Sequence, residues 1–107
     1  LTANSTPAGN LFHWNTSSEE DALGFNLYRS ESPAGPKTKI NTSLIPRQPL
    51  KAGQYSYTDA SAVLGREYWY WLDDEDAYGP TGVFYGPQRV QTGRMNHLPI
   101  LQKFTEN

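Results

Sequence analysis

The chain has 107 residues, which suits one domain with a modest core. Its net charge is −2 with acids and bases interspersed, which excludes a basic footprint for nucleic acid, and no apolar run approaches the roughly 20 residues of a membrane span. No cysteine is present, which excludes disulfides, thiolate zinc sites and thiol catalysis, while seven Tyr, three Trp, nine Gly and eight Pro favour aromatic-rich strands joined by many turns.

The chain opens on Leu1 without a secretory signal pattern and reads as a mature fragment or excised domain. Residues 1–10 are polar, with Pro7 and Gly9, and suit a short edge strand followed by a turn. In Leu11-Phe12-His13-Trp14 a period of two puts Phe12 and Trp14 on one face. Residues 15–23 are an acidic loop with room for a helical turn. Gly24-Phe25-Asn26-Leu27-Tyr28-Arg29-Ser30 alternates cleanly as a half-buried strand, and residues 31–36 form a turn by composition. Residues 37–40 suit a short edge strand blunted by lysines. With Pro46, Pro49 and Gly53, residues 42–53 are mostly irregular.

Tyr55 and Tyr57 share a face of the strand 54–59, and 66–72 is the next strand. Asp73 to Asp76 then read as a solvated turn, its Asp side chains capping amides, closed by Gly79-Pro80. The strand within 81–92 is bent or lies at an edge, because Pro87 has no N–H to donate. Six or seven short strands without a sustained helical period make the chain an all-β antiparallel sandwich. It spans 1–92, leaving 93–107 as a C-terminal tail or linker. The tail's apolar Leu98-Pro99-Ile100-Leu101 offers an anchor or a contact with a neighbouring domain, but lacks the Thr and Gly of a sortase signal. Three N-glycosylation patterns, at Asn4, Asn15 and Asn41, read as chance matches in a chain rich in Asn, Ser and Thr.

The ordered set of Leu11-Phe12-His13-Trp14, an acidic loop, Gly24 to Ser30, Ser56-Tyr57-Thr58-Asp59, Tyr68 to Leu72 and Tyr85-Gly86-Pro87 resembles a fibronectin type III-like domain of the bacterial extracellular kind. The resemblance covers about residues 1–92. It implies an immunoglobulin-like antiparallel β-sandwich of about seven strands from a larger secreted or cell-surface protein. Trp14 then matches the family's buried Trp. Tyr68 matches the corner Tyr whose hydroxyl bonds nearby backbone. Leu64 stands before Gly65 where the family commonly has Pro.

In Gly65 to Gly79, four aromatics run into four acids. If Tyr68, Tyr70 and Leu72 point inward with Phe12, Trp14, Phe25 and Leu27, then Trp69 and Trp71 point outward. They would share an outer face with Tyr28 and Asn26. That face reads first as a covered cross-strand cluster, at about 0.2–1 kcal/mol per pair. It reads second as a contact for another domain or protein, and third as a platform for a glycan. Asp74 and Asp76 imitate the first half of a calcium loop, but Tyr78 and Tyr85 occupy later ligand positions, so the metal reading is weak.

His13 and His97 are the only histidines, and no strained-turn serine or phosphate-cradling glycine loop accompanies them. The expectation is therefore no enzyme and no cofactor. The module would be a spacer, an adhesion unit or a docking unit. Its partners would be neighbouring domains of the same polypeptide or another surface protein, with a glycan as the alternative.

Overall fold

In the computed structural model, which describes residues 1–16, 22–47 and 53–93, alternating side chains build two antiparallel sheets. The strands are β1 (Thr2–Thr6), β2 (Gly9–Asn15), β3 (Gly24–Ser30), β4 (Thr38–Lys39), β5 (Ile45–Pro46), β6 (Gln54–Asp59), β7 (Glu67–Asp76), β8 (Gly79–Pro80) and β9 (Tyr85–Gln91). One sheet has the order β1-β2-β6. The other has the order β4-β3-β7-β8, with β5 also on β3 and β9 also on β7. The two-residue strands β4 and β5 share one edge of β3, and β8 and β9 share one edge of β7. The second sheet therefore fills four strand places, and the sandwich is of the immunoglobulin-like kind. No described residue is helical.

Both sheets turn aromatic rings inward. Phe12 and Trp14 come from β2, Tyr55 from β6, Phe25 and Leu27 from β3, and Tyr68, Tyr70 and Leu72 from β7. Phe12 meets Tyr70 across the layers at 4.4 Å between ring centroids. Trp14 stacks on Tyr55 at 5.6 Å and sets its edge to Phe25 at 5.7 Å. Fully burying one such side chain contributes about 1.5–3 kcal/mol. These few large rings do the work that a longer chain assigns to many aliphatic residues.

Two boundaries differ from the sequence reading. Asp73, Asp74 and Glu75 are not a turn. They continue β7, paired with Asn26, Phe25 and Gly24 of β3. Ladder bonds to a neighbouring strand outweigh the low strand preference of Asp, which is strongly context-dependent. The turn comes at residues 77–78, where the Asp76 side chain accepts the Tyr78 amide at 2.8 Å. Val83 and Phe84 are not in a strand, because β9 begins at Tyr85.

Within β9 the register shifts between Tyr70 and Leu72, so that Gly86 and Pro87 both stand opposite Trp71. This bulge accommodates the proline. The backbone at Gly86 has φ +136°, and an added Cβ would lie 2.6 Å from the Tyr70 carbonyl oxygen. Gly86→Ala is expected to cost more than about 1 kcal/mol. A thermal melt should drop by roughly 4–8 °C per kcal/mol in a domain of this size. An unchanged midpoint would contradict the tight fit.

Candidate functional site

The pleat of β7 divides its side chains as the period of two requires. Tyr68 and Tyr70 face the other sheet, while Trp69, Trp71 and Asp73 face away from it, beside Ser30, Tyr28 and Asn26 of β3. The outward face is nevertheless closed. Trp71 is only 5% exposed and Asn26 1%, so the face is a covered cluster rather than an open platform. Trp69 and Tyr28 are half-buried.

The cover comes from distant parts of the chain. Lys37 places its ammonium 4.4 Å from the Trp71 ring centre and 5.0 Å from that of Phe84. Phe84 sets its ring edge-on against Tyr28 at 5.2 Å. A cation over an aromatic face contributes about 0.5–1 kcal/mol where exposed, more when desolvated. Asn26 is buried by polar partners. Its amide donates to Glu75 Oε1 at 3.0 Å, and its oxygen accepts from the Asn41 amide at 3.0 Å. Asn41 also accepts the Leu27 amide at 2.8 Å and donates to the Ser43 carbonyl at 3.0 Å. It thereby supplies a strand-like partner where β4 has ended. Asn41, unlike the exposed Asn4 and Asn15, is buried, so its glycosylation pattern is inaccessible in the fold.

Between the sheets lies a second polar network that alternation alone did not reveal. Arg29 pairs with Asp59 at 2.9 Å, and its guanidinium lies 4.5 Å from the Tyr68 ring centre. The Tyr70 hydroxyl donates to Asp59 at 2.7 Å and accepts from the Asn10 amide at 3.0 Å. Asn10 also donates to Thr92 at 3.1 Å, and Ser61 donates to Asp59 through its hydroxyl and its backbone amide. Burial alone would raise the Asp59 carboxyl. Hydrogen bonds from Ser61, Tyr70 and Arg29, with the Arg29 charge, outweigh it and hold the group below its usual range. Burial and the Asp59 carboxylate push the Tyr70 phenol up. At the adjoining corner the Val63 amide donates to the Tyr68 hydroxyl at 3.2 Å.

Among the described residues the remaining candidates do not converge on one point. The two weak calcium candidates are engaged locally, Asp74 by the Thr81 hydroxyl at 2.7 Å and Asp76 by the Tyr78 amide. No three His, Cys, Asp or Glu side chains converge among the described residues. His13 lies exposed on the first sheet, and His97 falls outside the described residues, as does the apolar Leu98-Pro99-Ile100-Leu101 patch. A cavity of about 320 Å³ opens beside Trp14, Phe25, Leu72, Asp74 and Tyr85, but no His, Lys, Ser or Cys is among the described residues lining it.

In a comparison with solved structures, the chain is similar to a Fn3-like protein from Clostridium thermocellum, with a TM-score of 0.61 and 23% sequence identity. The match covers 91% of this chain and 92% of that one. The fold is fibronectin type III-like. No protein-family model and no curated protein matches the sequence. Within the fibronectin type III-like fold, Tyr68 holds the corner before β7 with Leu64 79% exposed beside it.

The internal network generates an acid-sensitivity prediction. A carboxyl whose folded pKa is depressed contributes stability that is complete above its unfolded value, about 3.9, and is lost as pH falls through the folded value. Urea melts from pH 7 to pH 2 should show this loss setting in below about pH 5. Tyr70→Phe takes one hydrogen bond each from buried Asp59 and Asn10, which keep Arg29 with Ser61 and Thr92 respectively, and should cost about 1–3 kcal/mol at pH 7. Its acid loss should also be shallower than that of the wild type. A variant as stable as the wild type would remove the network from the account.

Proposed function

We propose that the chain is a noncatalytic module that spaces or docks neighbouring domains of a larger extracellular or cell-surface protein. The observation that supports this most is the placement of Leu1 and Gly93, the first and last described residues. Leu1 shares the cavity wall with Leu72, Asp74 and Tyr85, at the far end of β7. Gly93 lies at the near end, where the Thr92 carbonyl accepts the Gly65 amide and the Thr92 amide donates to Arg66. Ser5, four residues after Leu1 on β1, accepts the Gly93 amide, so these two points lie roughly 13 Å apart along the strand direction. A chain running into one end and out of the other threads modules into a line. Fibronectin type III-like folds are generally noncatalytic, and fold alone does not assign a partner.

The glycan reading has less support. Sugar stacking needs an open ring face, and Trp71 lies beneath Lys37 with Asn26 committed to Asn41 and Glu75. Tryptophan fluorescence against a panel of polysaccharides is expected to show no shift. A shift that Trp71→Ala abolishes would replace the spacer reading with a carbohydrate-binding one. For the docking version, the module is expected to be retained on its immobilised flanking domains. Exchange for an unrelated sandwich of the same length separates the two roles, since a pure spacer survives the exchange and a docking unit does not.

A further inference from the structure

Residues 81–84, between β8 and β9, make no ladder pairing, yet they pass over the outward face of β3 and β7. They are anchored at their two ends, by Tyr85, which pairs with Leu72 at the start of β9, and by Thr81. The Thr81 amide and hydroxyl bond to Asp74 at 2.9 and 2.7 Å. Beyond it the Gly82 amide reaches Asp73 Oδ2 only at 3.4 Å, and Phe84 touches Tyr28 by a ring edge. Val83, Phe84 and Tyr85 stay 56%, 40% and 58% exposed. Glycines with φ +73° and +136°, Gly82 and Gly86, bracket these three residues.

Beneath them lies Asp73, 1% exposed. Its Oδ2 accepts from the Tyr28 hydroxyl and the Gly82 amide, both at 3.4 Å, and its Oδ1 has no hydrogen-bond partner. An ionised carboxylate so placed forfeits hydration without gaining full replacement. We propose that residues 82–84 form a strap that closes over Asp73 and the Trp71–Tyr28 face in acid and lifts from it near neutral pH.

The surrounding charges act in one direction. Asp74 and Glu75 follow on β7 and repel a further negative charge. From β3 come Asn26 and the Tyr28 hydroxyl. Burial, then the Asp73 charge and hydrogen bond and the Glu75 charge, push the Tyr28 phenol up to about 12, so it remains a neutral donor throughout. Lys37, whose ammonium lies over the Phe84 ring of the strap, is engaged with the rings of Trp71 and Phe84. Burial pushes the Asp73 carboxyl up, outweighing the opposing effect of the Gly82 amide, the nearby Asn26 side chain and the Tyr28 hydroxyl, and the Asp74 charge adds to the rise. Lifting the strap hydrates Asp73 and returns it towards about 3.9. The closed form therefore binds the proton more tightly. Closure is favoured below the ordinary carboxylate range and disfavoured as pH rises through the closed-form pKa.

The test is broadening of the Trp71 indole N–H resonance by a soluble nitroxide at pH 4.5 and pH 7.5, with far-UV circular dichroism showing the same fold at both. In the wild type, broadening should be several-fold greater at pH 7.5. Asp73→Asn, neutral at both values, should keep Trp71 protected at both. Phe84→Ala removes the ring contact without touching Asp73 and should increase broadening at both. Equal protection of wild-type Trp71 at the two pH values would overturn the proposal. So would an Asp73→Asn variant that keeps the wild-type response, or, where that variant does not fold, a Phe84→Ala variant that leaves broadening unchanged.

Discussion

The pleat of β7 is the constraint on which the rest of the sandwich depends. This strand bonds to β3 on one side and to β8 and β9 on the other, so its register fixes theirs. A slip of one residue would send Trp69, Trp71 and Asp73 into the interior and the tyrosines out. Asp73 would then face Phe12 and Trp14 rather than Tyr28, and an uncompensated interior charge is not tolerated. Tyr70 fixes the register from the other direction, since its hydroxyl meets Asp59 and Asn10 only when its ring faces β2 and β6.

The polar groups between the sheets carry specificity more than stability. Replacing a satisfied interior network by apolar residues of similar shape is often nearly neutral, whereas removing one partner is costly. Arg29, Asp59, Tyr70, Asn10 and Thr92 come from β3, β6, β7, β2 and the residue after β9. Each must be in place for the others to be satisfied. The network therefore ties both sheets to one relative position, which a core of interchangeable rings would leave looser.

Much of this architecture was legible in the sequence because alternation is a local signal. Gly24 to Ser30 and Tyr68 to Leu72 declare which side chains share a face. The rings they turn inward meet Phe12 and Trp14, which the same period selects. What alternation cannot report is what lies over the second face. The cover on Trp71 comes from Lys37 and the residues around Phe84, irregular segments with no period to read. Asn41 gave no signal either, because its role as a stand-in strand partner exists only once Leu27 is beside it. The acids from Asp73 to Asp76 misled for a related reason. Their composition favours a turn, but the neighbouring strand continues alongside them and claims their backbone groups.

The placement of Leu1 and Gly93 at opposite ends has a consequence for force. β1 lies antiparallel to β2 along five residue pairs, and β9 lies along β7. Tension pulling the two ends apart acts lengthwise on these outer strands and loads their ladders in shear. The bonds of a ladder then have to fail together rather than one after another, and the Ser5 hydroxyl, which accepts the Gly93 amide at 2.6 Å, ties β1 to the end of β9 where the second load enters.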